Sequence, residues 1–243
     1  MCTVSWFHTA DGYQLFCNRD ERHTRLPATP PQAAEQRGVR VLAPRDGDHG
    51  GTWLAVNQFG LSLCLLNRTA ARPPNAPATY TSRGLLLLEL ADTRAVAHLP
   101  ARLSQATLAR FRPFTLLALA PQTPAQVWQW TGTTLESATA GAIPLPLSSS
   151  SYAPAQVVAA RQNHFRNVVK RLDEPTLRRF HASHAPAASA YSTCMHRADA
   201  STVSFSHLQV AAGTLQFFYH PAAPCTLPAK LTGLTMTWSG GLA

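Results

Sequence analysis

Cys2-Thr3-Val4-Ser5-Trp6-Phe7-His8 and Tyr13-Gln14-Leu15-Phe16-Cys17-Asn18-Arg19-Asp20-Glu21 flank the turn Thr9-Ala10-Asp11-Gly12. Both flanks are rich in β-branched and aromatic residues, and Asp-Gly between them is the signal of a tight antiparallel hairpin. Pairing across such a turn makes partner numbers sum to roughly 21 to 23. Cys2 is thereby set opposite a residue between Arg19 and Glu21. Removal of Met1 would make Cys2 the first residue, with thiol and free α-amine on one residue, a nucleophile and its base together. Arg19 near the thiol favours the thiolate. Asp20 suits orientation of the amine, whose ordinary pKa of about 8 fits a base near neutrality. The same residues also fit a plainer arrangement, in which Cys2 starts a strand and Arg19-Asp20-Glu21 form a surface ion pair at the hairpin end.

A second hairpin follows. Gly50-Gly51-Thr52-Trp53 leads into Leu54-Ala55-Val56-Asn57, a turn at Gln58-Phe59-Gly60, and Leu61-Ser62-Leu63-Cys64-Leu65-Leu66-Asn67. Pairing across that turn returns Asn67 towards the Gly50-Gly51 end. An amide side chain there can donate to an oxyanion, or it can simply cap the strand ahead of the polar loop that begins at Arg68.

Met-Cys, Asn18-Arg19-Asp20-Glu21 and Gly50-Gly51-Thr52-Trp53 together resemble the NRDE family, whose eukaryotic member is the transport and Golgi organisation 2 protein. Cys2, Arg19, Asp20 and the stretch from Ala55 to Asn67 are also similar to the choloylglycine hydrolase and penicillin V acylase group. The matching is densest over residues 1–68 and continues at Ser82-Arg83-Gly84 and Ser201-Thr202-Val203-Ser204. The resemblance implies an N-terminal nucleophile hydrolase fold, an α+β four-layer α-β-β-α sandwich, spanning residues 1–243 as a single domain. It implies Cys2 as nucleophile and base, Arg19 and Asp20 as its supporting pair, and Asn67 at an oxyanion-hole position; Asn18 is a further candidate within the same tetrapeptide. The acylase group carries a later asparagine where this chain reads Leu147-Ser148-Ser149-Ser150-Ser151-Tyr152, a departure that leaves Ser149 and Ser150 as candidate replacements. Arg197, in His196-Arg197-Ala198-Asp199, matches a C-terminal arginine of the acylases.

Composition is consistent with one globular unit: 243 residues, 45% of them hydrophobic, are enough for a full core. A net charge of +9 would steer anionic ligands. No long basic run and no basic–aromatic interleaving accompanies it, so no nucleic-acid partner is expected. The five cysteines are odd in number and lack paired spacing, which points to a reducing, cytoplasmic setting. Cys17 and Cys64 lie in apolar strand sequence, Cys17 close to Cys2 across the first hairpin. The start of the chain lacks a signal-peptide pattern, and the apolar runs are too short to span a bilayer.

Apolar spacing predicts helices over 83–91, 101–111, 155–172 and 176–181, and strands over 114–120, 126–131, 203–210, 215–219 and 234–238. Residues 27–37 read as a flexible loop or an excursion, not a linker between domains, and 144–151 as a Pro- and Ser-rich connection. The expected pocket walls are residues 27–37, 68–81 and 144–152. His181, His184, Cys194 and His196 include zinc-ligand types, yet their spacing is irregular and no metal is expected. Asp46-Gly47-Asp48 reads as a turn, not a calcium loop.

The expected function is cysteine-dependent hydrolysis of a linear amide or thioester with no required cofactor. The alternative, which the resemblance to the NRDE family implies, is non-catalytic binding and trafficking of haem, acyl-CoA or lipid on the same fold. Substrate and oligomeric state are not encoded in any motif.

Overall fold

The computed structural model describes residues 2–69, 77–228, 231 and 233–238. The chain runs through β1 (Cys2–His8), β2 (Tyr13–Arg22), β3 (Thr29–Gln36), β4 (Val39–Arg45), β5 (Leu54–Asn57) and β6 (Ser62–Asn67). Helices α1 (Arg83–Leu90) and α2 (Leu99–Gln105) precede β7 (Phe114–Ala120), β8 (Thr123–Trp130), β9 (Leu135–Thr139) and β10 (Leu147–Ser148). Then come α3 (Pro154–Val168), α4 (Glu174–His181), β11 (Ala200–Ala211), β12 (Thr214–His220) and β13 (Gly233–Thr237).

The strands form two antiparallel sheets, ordered β10-β1-β2-β11-β12-β13 and β3-β4-β5-β6-β7-β8-β9. Strand alternation assigns each sheet two apolar faces. Val4, Leu15, Cys17 and Leu208 of the first sheet meet Leu54, Val56, Cys64 and Leu117 of the second between the sheets. Leu63, Leu65, Leu116 and Ala118 point the other way, onto Leu86, Leu87, Leu90, Leu99 and Leu103 of α1 and α2. Phe16 and Phe205, on the far face of the first sheet, pack on Phe165, Leu177 and Phe180 of α3 and α4. The layers therefore run α-β-β-α, as the resemblance implied. Each fully buried leucine or phenylalanine contributes about 1.5–3 kcal/mol of transfer free energy, so all three interfaces are substantial.

Residues 27–37 are not a loop: β3 pairs with β4 from Thr29↔Arg45 to Gln36↔Val39. The strand was hidden because Thr-Pro-Pro-Gln-Ala-Ala-Glu-Gln has weak β-propensity and two prolines, tolerated only at an edge, and the ladder is irregular between Thr29 and Gln32. The expected helix 101–111 divides instead into α2 and a short 3-10 turn at Leu108–Arg110, after Ala106 turns extended. The helix expected to reach 172 stops at Val168, and Val168 and Leu172 are exposed. Asp173 then caps α4, its Oδ1 accepting from the Thr176 amide at 3.0 Å. The connection 144–151 includes the two-residue strand β10, which pairs with β1. No helix among the described residues is long and apolar enough to cross a membrane.

Candidate active site

The first hairpin closes with a partner sum of 21, the low end of the expected range: Cys2 pairs with Arg19, Thr3 with Asn18 and His8 with Tyr13. Directly opposed residues share a face. Cys2 and Arg19 therefore face the gap between the sheets, while Thr3, Asn18 and Asp20 face α3 and α4. Arg19 and Asp20, adjacent in sequence, are delivered to different layers.

Arg19 belongs to a charge cluster. Its Nη2 lies 2.6 Å from Asp46 Oδ2 and 3.5 Å from Glu21 Oε2, and its guanidinium stacks 4.5 Å from the Trp53 ring centre. Arg25 bonds the same Asp46 carboxylate and reaches Asp48 at 2.6 Å. Burial alone would raise the Asp46 carboxyl, but the bonds from Arg25 and the His49 amide, with the charges of Arg25 and Arg19, hold it below the usual carboxylate range. The Asp46-Gly47-Asp48 segment is the expected turn, with the amides of Asp48 and His49 donating to Asp46 Oδ1. Arg19 was expected to depress the Cys2 thiol. The thiol is instead pushed well above its ordinary value, first by the Cys17 thiol beside it and then by burial.

Asp20 is fully buried, salt-bridged to Arg161 Nη1 at 3.1 Å, and accepts from Thr202 Oγ1 at 2.7 Å. Arg161 is 1% exposed; it also donates to Thr3 Oγ1 at 2.5 Å and to the Ala190 carbonyl at 3.2 Å. Sequence reasoning missed it: on α3 it occupies a core position between Val157 and Phe165, where a cation has no local signature. Asn18 ties the same layer together, its Nδ2 donating to the carbonyls of His181 and Thr193 at 2.9 Å each. Its Oδ1 therefore faces His181 Nδ1 (2.9 Å), which must carry the proton, leaving Nε2 to accept from Ser5 Oγ at 2.8 Å.

Burial, reinforced by Arg161, pushes the His181 pKa down to about 3. In the unfolded chain the ring titrates near about 6.5, so below that pH the unfolded state binds the extra proton. The resulting stability is present above pH 6.5 and is lost as pH falls towards 3, at up to about 1.4 kcal/mol per pH unit. His207, also lowered by burial, acts with the same sign. Urea midpoints are expected to fall between about pH 6.5 and 5, above most carboxylate titration, and to fall less steeply in His181→Gln. Equal slopes in the two proteins would remove His181 as the cause.

Ser149 lies where the sequence placed a substitute for the later asparagine. Its Oγ accepts from the Cys2 nitrogen at 3.1 Å, and its amide donates to the Cys2 carbonyl at 2.9 Å. Ser150 instead closes a turn, its Oγ donating to the Tyr152 carbonyl at 2.6 Å. Arg197 stands apart, paired with Asp199 at 2.8 Å and lying 5.0 Å over the Tyr152 ring.

Asn67 ends β6 exposed, bordering the same cleft as Cys2. That cleft, about 410 Å³, is bounded by Cys2, Arg19, Asn67, Arg83 and Arg112 among others. One wall depends on glycine. A Cβ on Gly51 would stand 2.6 Å from the Gly84 carbonyl carbon, and one on Gly84 would stand 2.8 Å from the Thr52 nitrogen. The Gly50-Gly51-Thr52-Trp53 and Ser82-Arg83-Gly84 segments thus meet backbone to backbone, where the Thr52 amide donates to the Gly84 carbonyl. This contact seats the start of α1 and aims Arg83 at the cleft. Burial, and then the charge of Arg112, lower the Arg83 pKa to about 10. Neither arginine has a carboxylate at ion-pair distance among the described residues; Arg83 donates to the Pro113 carbonyl and Arg112 lies over Tyr80. Of the expected pocket walls, residues 70–76 of the loop 68–81 lie outside the described residues, as does Met1.

The sequence profile of the family described as Transport and Golgi organisation 2 matches residues 1–206. No curated protein matches the sequence. Among solved structures, the chain is similar to a mutant conjugated bile acid hydrolase from Clostridium perfringens. That likeness has a TM-score of 0.56 at 12% identity, covering 97% of this chain and 92% of that one. It is also similar to the Caenorhabditis elegans ortholog of N-acylethanolamine-hydrolyzing acid amidase, with a TM-score of 0.57 at 9% identity, covering 86% and 92%. At these identities the likeness establishes the fold, that of the N-terminal nucleophile hydrolases.

Proposed function

The chain belongs to the Transport and Golgi organisation 2 family, and from that premise we propose that it is an N-terminal cysteine hydrolase of an amide or thioester bearing an anionic group. One observation carries this proposal. Among the described residues Cys2 is the one cysteine lining the cleft, and its nitrogen is anchored to Ser149 Oγ. With Met1 removed, the thiol proton passes to the α-amine of Cys2 as sulfur attacks the carbonyl carbon. Asn67 and nearby backbone amides stabilise the oxyanion. The leaving amine or thiol takes the proton as its bond to carbon breaks, and water then cleaves the thioester, releasing the acid and restoring the thiol. Arg83 and Arg112 attract the anionic group of the substrate. One structural neighbour is named a conjugated bile acid hydrolase and the other an N-acylethanolamine-hydrolyzing acid amidase, in support of this class.

A second proposal, ligand carriage without turnover, is favoured by the burial of Cys2 and by Arg83 and Arg112 in the cleft. A carrier needs no thiolate, and the cleft guanidiniums suit haem propionates or the phosphates of acyl-CoA. Intact-mass and peptide analysis before and after exposure to a small acylating electrophile separates the two. The hydrolase is expected to lack Met1 and to be modified at Cys2 ahead of Cys17 and Cys64. Retention of Met1, or a Cys2 no more reactive than the other thiols, sinks the hydrolase, and titration with haem and acyl-CoA then tests carriage.

A further inference from the structure

Residues 182–199, between α4 and β11, form neither helix nor strand, yet they are held at many points. Their carbonyls at Ala190 and Thr193 receive Arg161 and Asn18, the Cys194 amide donates to the Ser183 carbonyl at 3.0 Å, and the Met195 amide donates to Thr202 Oγ1 at 2.8 Å. This fixed backbone presents His184, Cys194 and His196 to one point. Cys225 arrives there from the short 3-10 turn Pro224–Thr226 that follows β12. The four ligand atoms lie within 4.8 Å of one another. His196 Nε2 is 3.5 Å from Cys194 Sγ and 3.6 Å from Cys225 Sγ, and the His184 and His196 rings meet edge-on with centres 4.9 Å apart.

We propose that His184, Cys194, His196 and Cys225 form a closed zinc site that staples the 182–199 segment to the segment joining β12 and β13. Bond lengths of about 2.3 Å to sulfur and 2.0–2.1 Å to nitrogen, at tetrahedral angles, put sulfur and nitrogen ligands about 3.6 Å apart. Both sulfur–nitrogen distances already have that value, and the remaining separations close by small side-chain rotations. The donor set of two thiolates and two neutral imidazoles is of the structural zinc type and leaves no position for substrate. Binding is balanced: as the ion enters, the two thiols release two protons and the imidazoles contribute lone pairs. The net charge of the filled site is zero, which suits a half-buried position. The Cys194 and His196 ligands flank Met195, whose amide holds Thr202, which in turn holds Asp20. The ion would thus brace the layer behind the Cys2 hairpin without touching the cleft.

The test uses the full chain, reduced with a phosphine and exposed separately to zinc and to cobalt(II). After removal of loose metal, about one zinc per chain is expected, and the cobalt form should show the visible absorption of tetrahedral thiolate coordination. Zinc should protect the exposed Cys225 from maleimide, with protection lost on chelation. Cys225→Ser changes an exposed residue and is expected to fold, as far-UV dichroism would verify, yet to bind cobalt on the order of 100-fold more weakly. His184→Gln should do likewise. Substoichiometric zinc with chelator-independent labelling would overturn the site, as would undiminished metal uptake in both variants. So would a Cys194–Cys225 disulfide that persists under the reductant.

Discussion

Cys2→Ala protein is expected to lose turnover of an amide or thioester substrate by on the order of 10⁴-fold or more, while still binding it. The size follows from the double role of the residue: the substitution deletes the nucleophile and leaves the α-amine with no proton to take. The neighbouring thiol cannot stand in, because Cys17 is fully buried within the inter-sheet core. Cys17→Ala is therefore the informative control. It removes the largest cause of the raised Cys2 pKa, so turnover should be retained and the alkaline limb of the rate profile should move to lower pH. Asn67→Ala should lower kcat by about 10²–10³-fold with little change in substrate affinity, the pattern of an oxyanion donor. Full turnover in Cys2→Ala would sink Cys2 as the nucleophile.

The parts of the site built from one hairpin were legible in the sequence, because a tight turn fixes register over a few residues. Asp11-Gly12 and the strand pattern narrow the partner of Cys2 to residues 19–21, and the fold selects Arg19. Strand alternation also separates Arg19 from Asp20, although both were expected at the Cys2 end and Asp20 instead meets Arg161. The partners of those side chains were not legible. Asp46 reaches Arg19, Arg161 reaches Asp20 and Ser149 reaches the Cys2 nitrogen across long stretches of chain, and such contacts have no period or spacing to betray them. The same holds for Cys225, which completes the histidine–cysteine cluster from beyond β12. Glycine was the exception. Gly51 and Gly84 stand out in sequence and mark a backbone contact, but only the fold reveals that they mark the same one. Strand β3 failed to read as a strand for the opposite reason: it sits at an edge, where partner backbone outweighs its own weak propensity.

Arg161→Met is expected to destabilise the protein by about 3–5 kcal/mol. Arg161 and Asp20 are both essentially inaccessible to water and are paired at 3.1 Å. Methionine fills much of the arginine volume, and the cost is therefore that of a buried carboxylate deprived of its guanidinium and not of a cavity. For a chain of this size the loss corresponds to a fall in Tm of roughly 10 °C. Arg161→Lys should recover only part of it, since one ammonium cannot reproduce the planar fork that serves Asp20, Thr3 and the Ala190 carbonyl together. Pairing Arg161→Met with Asp20→Asn removes both charges, and the double variant should be more stable than Arg161→Met alone. A loss below about 1 kcal/mol would place the pair among ordinary surface ion pairs. An additive double variant would show that the two charges do not interact. The expected result makes the Asp20–Arg161 pair the fixed support of the strand end opposite Cys2: Asp20 follows the residue paired with Cys2, and Arg161 also grips Thr3.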